Sequence, residues 1–576
     1  MNTSWGCSLI FVITLGFSCS HDSGVALLDG DKIIFAANEE RFTRRKLESG
    51  FPIRSLEAAL AHVDSPERID QVVMDGKRQS PHGNFVKYDI FGNPSLLNRI
   101  AERDSVARFF FGTQAGLELA MLLMRGITLP TRFKWIKNTR NIGINRRLKF
   151  VDHHTAHAAS SALLFPGVDG LAVTLDAIGE GYCSRSFVLR NGLLDQVNKI
   201  PAYHSPGLLY LYVTRILGFK PGQEGKVTGL AAHGRPDDVV DVLRQFLVYD
   251  QSRYSFRNVG LGYGSAALRR LQEALTGFAA EDIAAGVQRH LEDLVLAHVT
   301  HLLDQTKLIK PNICLAGGVF ANVSLNRRIA DELPVGSVNV APNMGDGGLG
   351  IGAALYVHPQ RVDFASLYLG TPIPDGPLRI PALYEEQVDA RMVNDIYSEV
   401  AQRLAQSKVV AVARGRMEYG PRALGNRSIL AAVGDKKIND WLNKRLHRTE
   451  FMPFAPIVRD VDSQRYFVLT QPLTSYENMT ITCFATELGK RQCPAVVHID
   501  GTARPQIVTE QRNPWIYHLL GRYEALTGCG VLLNTSFNLH EEPIVNSIEN
   551  AVDSFLRGGL DALVLGDLLI TPKSDC

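Results

Sequence analysis

Apolar residues along this chain fall into short runs of four to eight, each closed by a turn of small residues. Only a few stretches show a sustained 3.6-residue period, so the pattern predicts an α/β chain. Leu9–Phe17 (LIFVITLGF) is too short to span a bilayer, and no Lys or Arg precedes Lys32, so it reads as a buried first strand and not a signal peptide. VALL and IIFAA flank Asp29–Gly30–Asp31 and predict a hairpin, after a small-residue turn that carries His21 and Asp22 at its tip. Residues 53–150 alternate helical patterns with basic loops. GLAVTLDAIGEG predicts a strand that ends at Asp176 before a glycine turn; ICLAGG and VNVAPNMGDGG predict two more. A long amphipathic helix is expected over about 279–307, with His290, His298 and His301 as packing or surface residues. Near 368–381 Pro and Gly concentrate and the pattern restarts, which divides the chain into 1–367 and 368–576.

At 576 residues the chain exceeds what one core supports. Hydrophobic content of 45% and charged content of 21% are those of an ordinary soluble protein, and the net charge of +2 gives no electrostatic footprint for nucleic acid. Eight cysteines are scattered without a CxxC pair, so neither a zinc ribbon nor a disulfide framework is indicated; a reduced, cytoplasmic setting fits best, and no membrane partner is expected.

Chemistry concentrates at VDHHTAHAASSALLFPG, residues 151–167, with three histidines in five positions. On a helix His153 and His157 stand at i and i+4 on one face and can reach a single metal ion, and the small residues that follow allow a neighbour to pack close. Asp346, between glycines after a strand, is the natural third ligand: two imidazoles and a carboxylate leave open positions on a divalent metal. Asp176 at a strand end is placed to face phosphate or metal, and with His21 and Asp22 is a candidate catalytic base. Gly317 and Gly318 let the backbone approach a nucleotide that Asn322 can reach, and Lys226 in the Gly-rich loop GQEGKVTG is a further nucleotide contact. The charge run Glu39–Lys46 is read as a solvated face as readily as a substrate contact. In the C-terminal part ARGRMEYGPRALGNRSILAAV carries Arg422, Arg427 and Ser428; Arg504 is expected in a hairpin, and Asn534 and Ser536 at the end of a buried strand. Arg422, Arg504, Asn534 and Ser536 together suit a polyanion pocket.

The motifs SHDSGVALL with EERFTRRK, DHHTAHAASSA, EGKVTGLAAHG, AGGVFANVSLN, MGDGGLGIGAAL, MEYGPRALGNRSIL, PFAPIV and LLNTSFN occur in an order that resembles the NodU/CmcH-type O-carbamoyltransferases. The resemblance implies an actin-like (ASKHA) ATPase-fold domain over 1–367 and a YrdC-like twisted α/β domain over 368–576. It implies that the second domain makes carbamoyl-adenylate from carbamoyl phosphate and ATP, with Mg²⁺, in a pocket that includes Arg422, Arg504, Asn534 and Ser536. The intermediate then passes to the first domain, where a divalent metal, Fe²⁺ by family likeness, sits on His153, His157 and Asp346 and the carbamoyl group goes to a hydroxyl of a small-molecule acceptor. An oligomer is compatible with this reading, and a nucleic-acid partner is not expected.

Two departures stand against the family pattern. A Lys and an Arg that usually face the carbamoyl-phosphate and ATP phosphates are here Leu446 and Met452, and a usual Glu is Thr449; Lys444, Arg445 and Arg448 are the neighbouring cations. Ala177 replaces the usual Gly after Asp176. These substitutions leave open a related adenylating transferase with another donor or acceptor, and a non-catalytic nucleotide-binding homologue.

Overall fold

The first half of the chain builds the same sheet twice. In a computed structural model that describes residues 12–76, 104–165, 169–364, 366–376, 378–447 and 451–573, β1 (Ile13–Ser18), β2 (Gly24–Asp29) and β3 (Lys32–Asn38) form an antiparallel meander. β4 (Gln71–Asp75) pairs parallel to β1, and β5 (Leu148–Val151) parallel to β4. β6 (Gly170–Gly179), β7 (Tyr182–Arg190) and β8 (Leu193–Pro201) repeat the meander, and β9 (Leu247–Asp250) with β10 (Ser255–Asn258) makes a separate hairpin. β11 (Asn312–Ala316) is parallel to β6, and β12 (Ser337–Val340) to β11. The sheet orders β3-β2-β1-β4-β5 and β8-β7-β6-β11-β12 are therefore one topology used twice. β1 is buried at every position, as a central strand covered on both faces must be, and this is why its sequence reads as a continuous apolar run. The segment Leu9–Val12 of that run lies, apart from Val12, outside the described residues.

The C-terminal half holds an eight-stranded mixed sheet whose central strands are Val410–Ala413, Arg427–Ala431, Val531–Ser536 and Ala455–Arg459. Period-2 alternation divides its apolar residues between two layers. Val410, Val412, Leu430, Ile457 and Leu532 pack with residues of the helices Ile396–Ala405 and Pro514–Thr527. Ala411, Ile429, Val458 and Leu533 belong to the main core with Leu442, Leu446 and Phe555.

Three local expectations change. Arg504 is not in a hairpin: Thr502–Ala503 before it joins a three-stranded sheet, and Gln506–Val508 after it pairs parallel to Ala455–Arg459 in the large one. Lys226 lies in the helix Glu224–Ala231 and not in a loop. Gly229 in that helix is crossed closely by backbone: a Cβ there would come within 2.9 Å of Met452 N. β6 runs on to Gly179, past the predicted end at Asp176. The long helix falls at Ala280–Thr306, where His290 Nε2 bonds Leu247 O, His298 is buried and His301 stacks on Tyr254. The six cysteines described are all free thiols, and no described helix is long and apolar enough to cross a membrane.

Candidate metal centre

Strand ends and one helix start bring the acidic and imidazole groups together. The helix His153–Ala162 begins directly after β5, capped by Asp152, whose Oδ1 accepts from Thr155 N at 3.1 Å. Its i, i+4 geometry sets the His153 and His157 rings 4.7 Å apart, both buried. Its small residues let the helix Leu349–Val357 approach until a Cβ on Gly352 would lie 1.9 Å from Ala156 O. Asp346 opens the short turn that leads into that second helix, so close packing of the two helices brings the carboxylate to the imidazoles.

One ligand atom from each of His153, His157, Asp176 and Asp346 lies within 4.8 Å of the other three. Nε2 of His157 stands 3.2 Å from Asp176 and 3.5 Å from Asp346; Nε2 of His153 stands 3.6 Å and 3.7 Å from the same carboxylates. Asp176 thus joins the three residues expected as ligands, as a fourth donor beyond its expected role as a base. It can turn inward because the β6–β7 register breaks between Leu175 and Gly179. Both nitrogens of His157 and Oδ2 of Asp176 are buried without a hydrogen-bond partner, as donors kept for a cation would be. His154 points away: Nδ1 meets Thr174 Oγ1 at 2.8 Å, Nε2 meets Tyr182 O at 3.1 Å, and burial lowers its pKa to about 3.

His21 stands at the mouth, half exposed, with Nδ1 2.9 Å from Asp346 Oδ2. The Asp346 charge raises its pKa to about 9. Burial works against protonation of His157, but the facing carboxylates of Asp176 and Asp346 prevail and raise it to about 9. Asp22 adopts a left-handed backbone (φ 63°) at the turn tip, where burial and the nearby Glu40 raise it to about 7. Its Oδ1 accepts from Asn38, whose own Oδ1 accepts from Asn343. Tyr419 and Arg41 extend this scaffold between the halves: Tyr419 OH donates to Gly347 O, and Arg41 to Gly420 O, both at 2.8 Å.

Asp75 is an acidic residue of this region that the sequence reading did not single out. It ends β4, is 1% exposed, and neither carboxylate oxygen has a hydrogen-bond partner. Burial raises it to about 6, with the charges of His153 and Asp346 acting on it in opposite directions. Its signal was present: VVMDG is an apolar strand with a terminal Asp before Gly, the pattern that singled out Asp176.

The remaining expected residues fall in two places. Gly317, at φ 103°, donates to Met344 O, and a Cβ on Gly318 would sit 3.2 Å from Asp176 Oδ1, so this turn borders the cluster. Asn322 caps the helix Val323–Glu332 and exchanges two amide bonds with Gln288; Lys226 is buried, 6.0 Å from the Phe219 ring. In the C-terminal sheet Asn534 donates to Ala423 O and Gln506 Oε1, so the chain neighbours of Arg422 and Arg504 meet at this amide. Ser536 pairs with Ser428 across the adjoining strands. Arg427 instead turns inward to backbone carbonyls. Leu446 is 1% exposed within the apolar core, Met452 lies against Gly229, and Thr449 and Arg448 are outside the described residues.

Gly179 is a test of this geometry. A Cβ there would lie 2.1 Å from Cδ2 of His153, whose ring is buried. Gly179→Ala is expected to weaken divalent-metal binding by more than about tenfold and to lower stability by about 1–3 kcal/mol, measured by metal titration of the metal-free protein and by thermal unfolding. Proton competition gives a second expectation. The two imidazoles must be neutral to bind metal, and in its absence His157 is raised to about 9 and His153 in the same direction. Metal affinity should therefore rise with pH up to about 9, with proton release detected by calorimetry in buffers of different ionisation enthalpy. A pH-independent affinity between 7 and about 9 would count against imidazole ligation.

A family model described as Carbamoyltransferase N-terminus matches residues 13–355, and one described as Carbamoyltransferase C-terminus matches 401–572. An uncharacterised protein of Methanocaldococcus jannaschii is 30% identical over 97% of this chain and 99% of its own. Nodulation protein U of Rhizobium tropici is 34% identical over 91% and 90%. The 3'-hydroxymethylcephem-O-carbamoyltransferase of Streptomyces clavuligerus is 25% identical over 96% and 98%. With both halves matched and relatives aligned along nearly all of their own length, the chain belongs to the NodU/CmcH carbamoyltransferase family and is a carbamoyltransferase.

Proposed function

We propose that this protein is an ATP-dependent O-carbamoyltransferase acting on a hydroxyl of a small-molecule acceptor, with two reaction sites. The observation that carries the reading is the buried group His153, His157, Asp176 and Asp346, set at strand ends of a duplicated α/β unit in a chain of this family. The repeated strand order supports the actin-like reading of residues 1–367, and the mixed sheet beyond is taken as the YrdC-like unit. In the second unit carbamoyl phosphate, ATP and water give carbamoyl-adenylate, pyrophosphate and phosphate, with Arg422, Arg504, Asn534 and Ser536 around the anions. In the first, the acceptor oxygen forms a C–O bond to the carbamoyl carbon as the bond to AMP breaks, and the hydroxyl proton leaves to a base.

A divalent ion held by the four residues would supply Lewis-acid polarisation of the carbamoyl carbonyl. His21 is the base in this reading: Asp346 engages Nδ1 and orients the ring, and half its surface is open to an acceptor. Charge on Asp346 is the main cause of its raised pKa, so neutralising that carboxylate returns the imidazole toward the neutral form a base requires. Asp22, fixed by Asn38, would orient the incoming group, and the turn at Gly317 and Gly318, which packs against Leu175 and Asp176, would border the adenylate. An enclosed route between the sites would keep water from the acyl-adenylate.

The test is incubation of the iron-loaded protein with ATP and carbamoyl phosphate without acceptor. Pyrophosphate and carbamoyl-adenylate are expected. Pyrophosphate formed only with another donor assigns a different transferred group, and nucleotide binding without turnover refutes the enzymatic reading of the second site.

A further inference from the structure

Two cysteines that the transfer chemistry leaves unused meet in the C-terminal half: the Sγ atoms of Cys493 and Cys529 lie 3.8 Å apart. Cys493 follows the helix Glu487–Gln492, its N–H donates to Gly489 O at 2.8 Å, and its side chain is fully buried. Cys529 stands on the turn after the helix Pro514–Thr527, between Gly528 and Gly530. It is partly exposed, and Thr527 and Gly528 before it are open to solvent. Gly528 is left-handed (φ 72°), and a Cβ on it would meet nothing within 4 Å, so there is space beside this turn. The pair thus has an inner thiol held on a helix end and an outer one on a turn that solvent reaches.

The two sulfurs are also unlike in charge. The Cys493 thiol beside Cys529 favours the outer thiolate, against burial, and the Arg465 charge acts in the same direction; the Cys529 pKa falls to about 7. The same contact, with burial, holds Cys493 in its protonated form. Cys19, Cys183, Cys314 and Cys483 differ from Cys529, because burial pushes their thiols up. A reachable thiolate next to a second thiol is the arrangement in which a sulfenic acid condenses to a disulfide before further oxidation. The sulfurs must close from 3.8 Å to about 2 Å to bond, a movement that rotation of the Cys529 side chain and its glycine-flanked turn can supply.

We propose that Cys493 and Cys529 are a dithiol site oxidised by peroxide, in which Cys529 attacks and Cys493 resolves. The Cys529 thiolate takes one oxygen of hydrogen peroxide as the O–O bond breaks, giving a sulfenic acid and a hydroxide that takes up the proton Cys529 released. The Cys493 sulfur then displaces the hydroxyl from that sulfur, forming the S–S bond and a second water, so the two thiols give two hydrogens and two electrons to the peroxide. The proposal does not rest on the transfer chemistry. The full chain, reduced and then freed of reductant, is treated with a small excess of hydrogen peroxide in the presence of a chelator that suppresses metal-driven oxidation, and its peptides are mapped by mass spectrometry. A peptide joining Cys493 to Cys529 is expected, with two of the eight thiols lost and both restored by dithiothreitol. Cys529 should react more than about tenfold faster than Cys19, Cys183, Cys314 or Cys483. In Cys493→Ser the sulfenic acid should persist on Cys529 and be trapped by dimedone, and in Cys529→Ser Cys493 should stay reduced, with thermal unfolding confirming that each variant is folded. Absence of the joined peptide from the oxidised wild type overturns the proposal, whatever the variants do. Dimedone labelling of Cys493 in folded Cys529→Ser, or none on Cys529 in folded Cys493→Ser, overturns the assigned roles.

Discussion

An Asp346→Asn variant is expected to lose bound divalent metal and, with it, carbamoyl transfer, while ATP-dependent formation of pyrophosphate persists. The substitution keeps shape and removes one charge. That charge is buried, faces Nε2 of both His153 and His157 and holds His21 at 2.9 Å. With it gone, Asp176 would be the one carboxylate left among the four ligand candidates, in a buried site where an under-compensated charge is most costly. Loss of an outer-shell partner typically weakens metal affinity by about 10–100-fold, so removal of a direct ligand should exceed the upper figure. Transfer should fall by about a thousandfold or more, equivalent to about 4 kcal/mol of transition-state stabilisation. Metal analysis of the purified variant, ATP–pyrophosphate assay and product detection separate the two sites. A variant that keeps one metal per chain and full transfer would remove Asp346 from the centre.

How much of this centre could be read in advance follows from where its information lies. His153 and His157 were legible because one helix carries both and 3.6 residues per turn fixes their relation. Asp346 was legible because a lone acid between glycines after an apolar strand has few structural uses. Asp176 was seen as a strand-end acid, but its inward turn depends on a register break that no local pattern announces. Asn38, Asn343 and Tyr419 were invisible for a different reason. Their value lies in bonds that span 16, 305 and 72 residues of chain, to Asp22, Asn38 and Gly347, and no local pattern announces partners so far away. The misplaced hairpin at Arg504 shows the same limit for strands: alternation predicts that Thr502–Ala503 and Gln506–Val508 are extended, not which neighbours they choose.

Arg427 shows that an arginine in a marked motif need not face a ligand, and its replacement should give the largest loss of stability in the C-terminal half. The side chain is 0% exposed. Nη1 donates to the carbonyls of Arg414 and Asn426 at 2.7 and 2.9 Å, and Nη2 to those of Thr371 and Gly415 at 3.1 and 3.2 Å. Burial lowers its pKa to about 10, opposed by the charge of Glu418, whose Oε1 also accepts from the backbone N–H groups of Leu424, Asn426 and Arg427. These bonds tie the strand Gly415–Glu418, the turn that carries Arg422, and Tyr368–Ile373 into one unit. Arg427→Met keeps most of the volume but leaves four carbonyls without that donor and Glu418 without the cation. At about 1 kcal/mol for each lost bond, the cost should reach about 3–5 kcal/mol. An exposed comparison is Arg391→Met, which breaks the 2.7 Å pair with Glu399 on a half-open surface and should cost less than about 1 kcal/mol. Urea unfolding followed by tryptophan fluorescence compares the two variants with the parent. If Arg427→Met unfolds with the midpoint of Arg391→Met, the buried guanidinium does not hold this junction together.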